Sequence, residues 1–89
     1  MMKMADNPKQ IEGLDIAEAD DGFIIYIADT DRVHYLNPIA GIVLLLCDGR
    51  HSSVAIAELL QHKFGLDEPP LHDVEPILSQ FAEEGLLIS

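Results

Sequence analysis

The stretch "HYLNPIAGIVLLLCDG", His34 to Gly49, decides the fold. Within it, nine consecutive residues, Ile39 to Cys47, carry no polar side chain. Leu36-Asn37-Pro38 introduces that run. Asn37 suits an N-cap, because its side-chain oxygen can take a free amide of the first helical turn. Pro38 suits the first helical position, where no amide donor is required. The triplet therefore reads as a hinge that turns a strand into a helix. The helix is expected from Ile39 to about Asp48, with Gly49 just past its end. Apolar on every side, it is predicted to be the central buried helix.

Before the hinge, "RVHYL" (Arg32 to Leu36) alternates Val33 and Tyr35 against His34 and Leu36, the period of a strand. "FIIYIA" (Phe23 to Ala28) is β-branched and aromatic on both faces, as in a central strand. Asp29 to Asp31 form the turn between these two strands. Asp21-Gly22 is a dipeptide favoured in type I′ hairpin turns, and it separates "FIIYIA" from a weaker strand over Ile11 to Glu18. A three-stranded meander results, with its third strand on an edge. Residues 1–10, polar with Pro8, are expected as a flexible arm ahead of a single domain over residues 11–89.

After the hinge, a second helix begins at Ser52 or Ser53, with Val54, Ile56, Leu59, Leu60 and Phe64 as its core stripe and Gly65 as its stop. A third helix covers roughly Asp73 to Glu84, with Val74, Ile77, Leu78 and Phe81 at helical spacing. Pro76 is harmless there if Asp73 is the N-cap, and kinks the helix if it begins at Leu71. "GLLIS" is an extended tail. The order βββααα defines an α+β class, winged helix-turn-helix-like, with its sheet placed first.

Charge narrows the function. Sixteen acids against five bases leave a net charge of −11 over 89 residues. Such a field repels phosphate backbones and anionic membrane surfaces and favours basic partners. The second and third helices carry Lys63 as their only Lys or Arg, against Glu58, Asp73, Glu75, Glu83 and Glu84, which argues against a winged-helix DNA-binding regulator. No secretion signal is evident, and the single cysteine cannot form an internal disulfide, so a reducing cytoplasm is the expected compartment.

The candidate chemical groups do not assemble into an active site. His34, His51, His62 and His72 never fall at metal-ligand spacing, and the acids Asp15, Glu18, Asp20 and Asp21 do not fit a calcium loop. No nucleophile elbow, phosphate-cradling glycine loop or Cys/His pair is present. The expectation is a non-enzyme without metal or cofactor. "SSVAIAELLQHKFGLDEP" has some likeness to the prosthetic-group helix of acyl carrier proteins, but Ser52 and Ser53 follow Arg50-His51 rather than an aspartate. Helix capping accounts for both serines.

From "VHYLNPIAGIVLLLCDG" to "DVEPILSQFAEEGLLIS" the chain resembles the PqqD-like family of pyrroloquinoline quinone biosynthesis. Tyr35, Leu36, Asn37, Ala40, Asp48, Gly49, Val54, Ile56, Leu59, Leu60, Asp73, Val74, Ile77, Leu78, Phe81, Gly85 and Leu86 carry the resemblance. Pro76 departs from the family pattern, and Phe81 stands where leucine is usual. The resemblance implies a peptide chaperone that binds the leader of a ribosomally made precursor and presents it to a radical S-adenosylmethionine enzyme. It implies further that the leader adds as a strand to the third strand, beside the third helix.

The edge supports the same expectation independently. "RVHYL" has no proline and only Arg32 to guard it, so its free backbone groups can pair with an incoming chain. The expected peptide-binding residues are Arg32, Val33, His34, Tyr35 and Leu36 on the strand, with Ile77, Gln80, Phe81 and Glu84 on the third helix. The competing expectation is that "LLIS", the N-terminal arm or a second copy in a homodimer covers that edge.

Overall fold

The computed structural model describes residues 7–88. Strands β1 (Leu14–Ala19), β2 (Gly22–Ile27) and β3 (Arg32–Leu36) form one antiparallel sheet in the order β1-β2-β3, so β3 is an edge. Helices α1 (Pro38–Leu46), α2 (Ser53–Phe64) and α3 (Leu71–Glu83) follow. Phe23, Ile25 and Ile27 of β2 face a core shared with Val43 and Leu44 of α1, Ile56 and Leu60 of α2, and Val74 of α3. The alternate residues Ile24 and Tyr26 lie on the other, wetter face, so β2 is central without being buried on both sides.

The hinge forms as its residues dictate. The Asn37 side-chain oxygen accepts from the Ala40 amide at 2.8 Å, and Pro38 opens the helix. The helix stops earlier than its apolar run, with Cys47 as its cap. Gly49 lies beyond, in a loop where Asp48 accepts from the Arg50 amide at 2.9 Å and meets His51 Nδ1 at 3.0 Å. The Arg50 amide chiefly holds the Asp48 carboxyl below the usual carboxylate range. Nor is α1 buried all round. Ala40, Gly41, Val43 and Leu44 are buried, but Ile39 and Leu45 are exposed, because two neighbouring layers can cover only part of a helix. Gly41 lies hard against the Phe23 ring, which a Cβ there would strike.

In the first hairpin, the two-residue loop is Asp20–Asp21 rather than Asp21-Gly22, since Ala19 pairs with Gly22. Asp31 is the only non-glycine among the described residues with positive φ, so the loop is not the type I′ turn expected. Gly22 serves close approach instead, as a Cβ there would meet the Leu36 carbonyl. Asp31, at φ 57°, ends the β2–β3 loop and accepts from the Tyr26 hydroxyl at 2.6 Å.

Ser52 caps α2 by accepting from the Ala55 amide at 3.1 Å, and Gly65 ends it at φ 66°. Only Ile56 and Leu60 of the expected stripe are buried, together with Ala57, while Val54, Leu59 and Phe64 are exposed. Helix α3 starts at Leu71, two residues before the expected start. The Pro70 carbonyl accepts from the Asp73 and Val74 amides, and Asp73 is not the cap. Pro76 is therefore interior to the helix, with no N–H for the His72 carbonyl. Both residues are exposed, which leaves that carbonyl within reach of solvent.

Of the arm expected over residues 1–10, residues 1–6 lie outside the described region. The remainder is tied down. Gly49 N donates to Pro8 O, Gln10 N to Cys47 O, and Ile88 N to Lys9 O at 2.7 Å. Gly85, at φ 76°, turns the chain out of α3 so that Leu86 is buried and Leu87 bridges Gln10. The tail thus pairs with the arm, and not with β3.

Candidate functional site

Backbone alternation determines which groups β3 leaves free. A two-residue loop closes on a hydrogen-bonded pair, here Ala19 and Gly22, and hydrogen-bonded pairs then alternate along the ladder. Phe23, Ile25 and Ile27 consequently turn their amides and carbonyls toward β3, where their partners are Leu36, His34 and Arg32. The backbone groups of Val33 and Tyr35 point away from the sheet. Among the described residues no backbone hydrogen bond from the arm, the tail or any loop reaches them. Two donors and two acceptors therefore stand on an open edge.

Beside that edge runs a cleft of about 260 Å³ between β3, the start of α1 and α3. Its walls include His34, Leu36, Ala40, Ile77, Phe81 and Glu84, with Tyr35, Asn37 and Gln80 at its margins. His34 Nδ1 lies 3.3 Å from Glu84 Oε1, bridging strand and helix. Gln80 Nε2 donates to the other carboxylate oxygen at 3.2 Å. Because the carboxylate accepts, Nδ1 carries the proton in this contact. His34 Nε2 is buried without a hydrogen-bond partner among the described residues. Phe81, only 2% exposed, forms the floor of the cleft rather than a protruding contact.

Seven of the nine residues expected at the site line this cleft: His34, Tyr35, Leu36, Ile77, Gln80, Phe81 and Glu84. Arg32 and Val33 lie on β3 outside it; Val33 faces the opposite side of the sheet and is 52% exposed. Asn37 and Ala40 also line the cleft, although sequence reasoning gave them only a capping and a packing role. Their position directly after β3 was the available signal, since the first turn of a helix that leaves a strand must border the end of that strand.

A second, wider depression lies between α1 and α2, where Ile42, Leu45, Leu46 and Leu59 are rimmed by Glu18, His62 and Lys63. It touches β1, the sheet's other edge strand, at Glu18, and no residue of α3 forms a wall opposite that strand. Among the described residues no three His, Cys, Asp or Glu side chains gather as a metal-holding group, and no helix is long and apolar enough to cross a membrane. Cys47 is buried, and its Sγ donates to the Val43 carbonyl at 3.2 Å. Burial, helped by the neighbouring Asp48 charge, pushes its thiol up to about 12, so it is no nucleophile at neutral pH.

A three-stranded sheet with a cleft of mixed polarity alongside its β3 edge and three helices behind defines a small α+β domain able to accept an extended chain. The chain belongs to the PqqD family, Coenzyme PQQ synthesis protein D, whose family model matches residues 22–87. No curated protein sequence matches it. Two solved structures share the fold. "TbiB1 in Complex with the TbiA(beta) Leader Peptide" has a TM-score of 0.75 at 18% identity, covering 91% of this chain and 95% of the other. "Lasso peptide synthetase B1 complexed with the leader peptide" has a TM-score of 0.75 at 16% identity, covering 93% and 99%.

Proposed function

We propose that this domain binds the leader of a ribosomally made precursor peptide as a fourth strand on β3 and presents it to a modifying enzyme, without catalysing a reaction itself. The observation that carries this reading is the open edge at Val33 and Tyr35, left free because the chain's own tail is paired with Lys9 and Gln10. The two structural neighbours were both solved with leader peptides, which supports the same use of the shared fold. Family membership favours a radical S-adenosylmethionine enzyme as the recipient.

Magnitudes bound the affinity. Four ladder hydrogen bonds at about 1 kcal/mol net each, with two or three apolar anchors at about 2 kcal/mol each, give about 10 kcal/mol. Association costs at least ~4 kcal/mol. The remaining ~6 kcal/mol corresponds to a Kd of some tens of micromolar, so tighter capture requires surface from the enzyme. The net charge of −11 fits docking on a basic patch of that enzyme.

The test is amide hydrogen exchange with and without a synthetic leader peptide of a precursor encoded in the same genome. Protection is expected at Val33 and Tyr35 and along α3 from Ile77 to Glu84. Protection confined to the α1–α2 depression would refute the proposed site.

A further inference from the structure

The outer face of the sheet is unusually apolar for a surface that meets water. Val33 is 52% exposed and Tyr35 78% exposed. Register places Tyr26 opposite Val33 and Ile24 opposite Tyr35, so the four side chains form one patch that runs up to the open edge. The residues whose backbone groups are free for pairing are the same two whose side chains face outward. A strand added to β3 therefore sets the residues that lie directly opposite Val33 and Tyr35 on this outer face, about 5 Å from those side chains. Its intervening residues, opposite Arg32, His34 and Leu36, point toward the cleft. This parity follows from the pleat and holds whichever way the added segment runs.

We infer that the bound segment is read on both of its faces: alternate residues enter the cleft, while the residues between them are β-branched or aromatic and pack against Val33 and Tyr35. This rests on strand addition at β3 as proposed above. The occupant of the patch follows from its continuity with the edge, since any chain that pairs there covers Val33 and Tyr35. The ligand class is an extended segment of about five residues, apolar at positions of both parities. A segment that alternates apolar and charged residues would bind less well.

Selection of a displayed library of random dodecapeptides on the intact domain tests the inference. Enriched peptides should favour Val, Ile, Tyr or Phe at one parity and apolar side chains at the other. Selection on a variant carrying Val33→Thr and Tyr35→Thr should lose the first preference and keep the second. A blocked synthetic copy of one enriched peptide should bind that variant roughly tenfold more weakly, by calorimetry. Preference at a single parity, equal in both proteins, would overturn the inference and leave strand addition standing. Peptides that bind a Tyr35→Pro variant as well as the unaltered domain would overturn strand addition itself, and this inference with it. Both outward-facing changes are at exposed positions, and an unchanged melting curve confirms that the fold is kept.

Discussion

Proline at Tyr35 should abolish peptide binding while leaving the domain folded. The Tyr35 amide is not used by β2, whose hydrogen-bonded partners on β3 are Arg32, His34 and Leu36. The substitution removes one of two edge donors and places a pyrrolidine ring where an added strand must approach. The carbonyl left unpaired on the peptide costs about 1–3 kcal/mol, a loss of roughly 5- to 150-fold before any steric penalty. From a Kd of some tens of micromolar, that alone moves binding to between a few hundred micromolar and several millimolar, and the clash of the ring with the added strand carries it further, out of calorimetric detection. The control is His34→Pro, which takes its donor from the ladder to Ile25 and breaks the contact with Glu84. It should lower the melting temperature markedly, by about 4–8 °C for each kcal/mol lost in a domain of this size. Calorimetry with a leader peptide, together with thermal melts of both variants, decides the matter. An unchanged Kd for Tyr35→Pro would refute strand addition. A destabilised Tyr35→Pro beside an unaffected His34→Pro would show that the alternation of backbone groups has been assigned the wrong way round.

Raising salt from 50 to 500 mM should weaken the contact with the modifying enzyme far more than the contact with the leader, as read by calorimetry on each pair; equal sensitivity would remove charge as the basis of enzyme docking. Gly41→Leu should cost about 1–3 kcal/mol in denaturant melts, because the added side chain displaces the Phe23 ring from a close-packed site. Stability should fall as pH rises from about 9 toward 12, and less so in Cys47→Ala. The buried thiol keeps its proton up to about 12 while the unfolded chain releases it near its usual value, so the unfolded state alone gains by ionising. Near pH 4.3, where net charge vanishes, light scattering should show self-association that Tyr35→Pro suppresses, since an unguarded edge is then no longer held apart from its copies by repulsion.

Most of the scaffold is legible in local sequence. Asn37-Pro38 fixes the strand-to-helix hinge, Ser52 and Gly65 bound α2, and the alternation of Val33 and Tyr35 against His34 and Leu36 marks an edge strand. Long-range events are not legible. Nothing in Pro8 to Gln10 signals that their backbones meet Cys47 to Gly49 and Leu87, because that pairing joins segments far apart in the chain. A uniformly apolar run such as Ile39 to Cys47 carries no period to say which side lies open, so the exposure of Ile39 and Leu45 had no local signature. At the site, His34 and Glu84 could each be named as candidates. That they face one another across the cleft at 3.3 Å depends on how α3 packs, which no spacing rule supplies.

The antiparallel contact of Gln10 with Leu87 brings the two ends of the folded region side by side. Such a topology suits circular permutation: a short linker from Ile88 back to Asn7, with a new opening among the exposed residues 66–69 between α2 and α3, disturbs neither β3 nor the face of α3 that borders it. It also suits insertion as a cassette, since a host protein that receives the domain in one of its loops needs to spread its own backbone by little more than the spacing of two paired strands, about 5 Å.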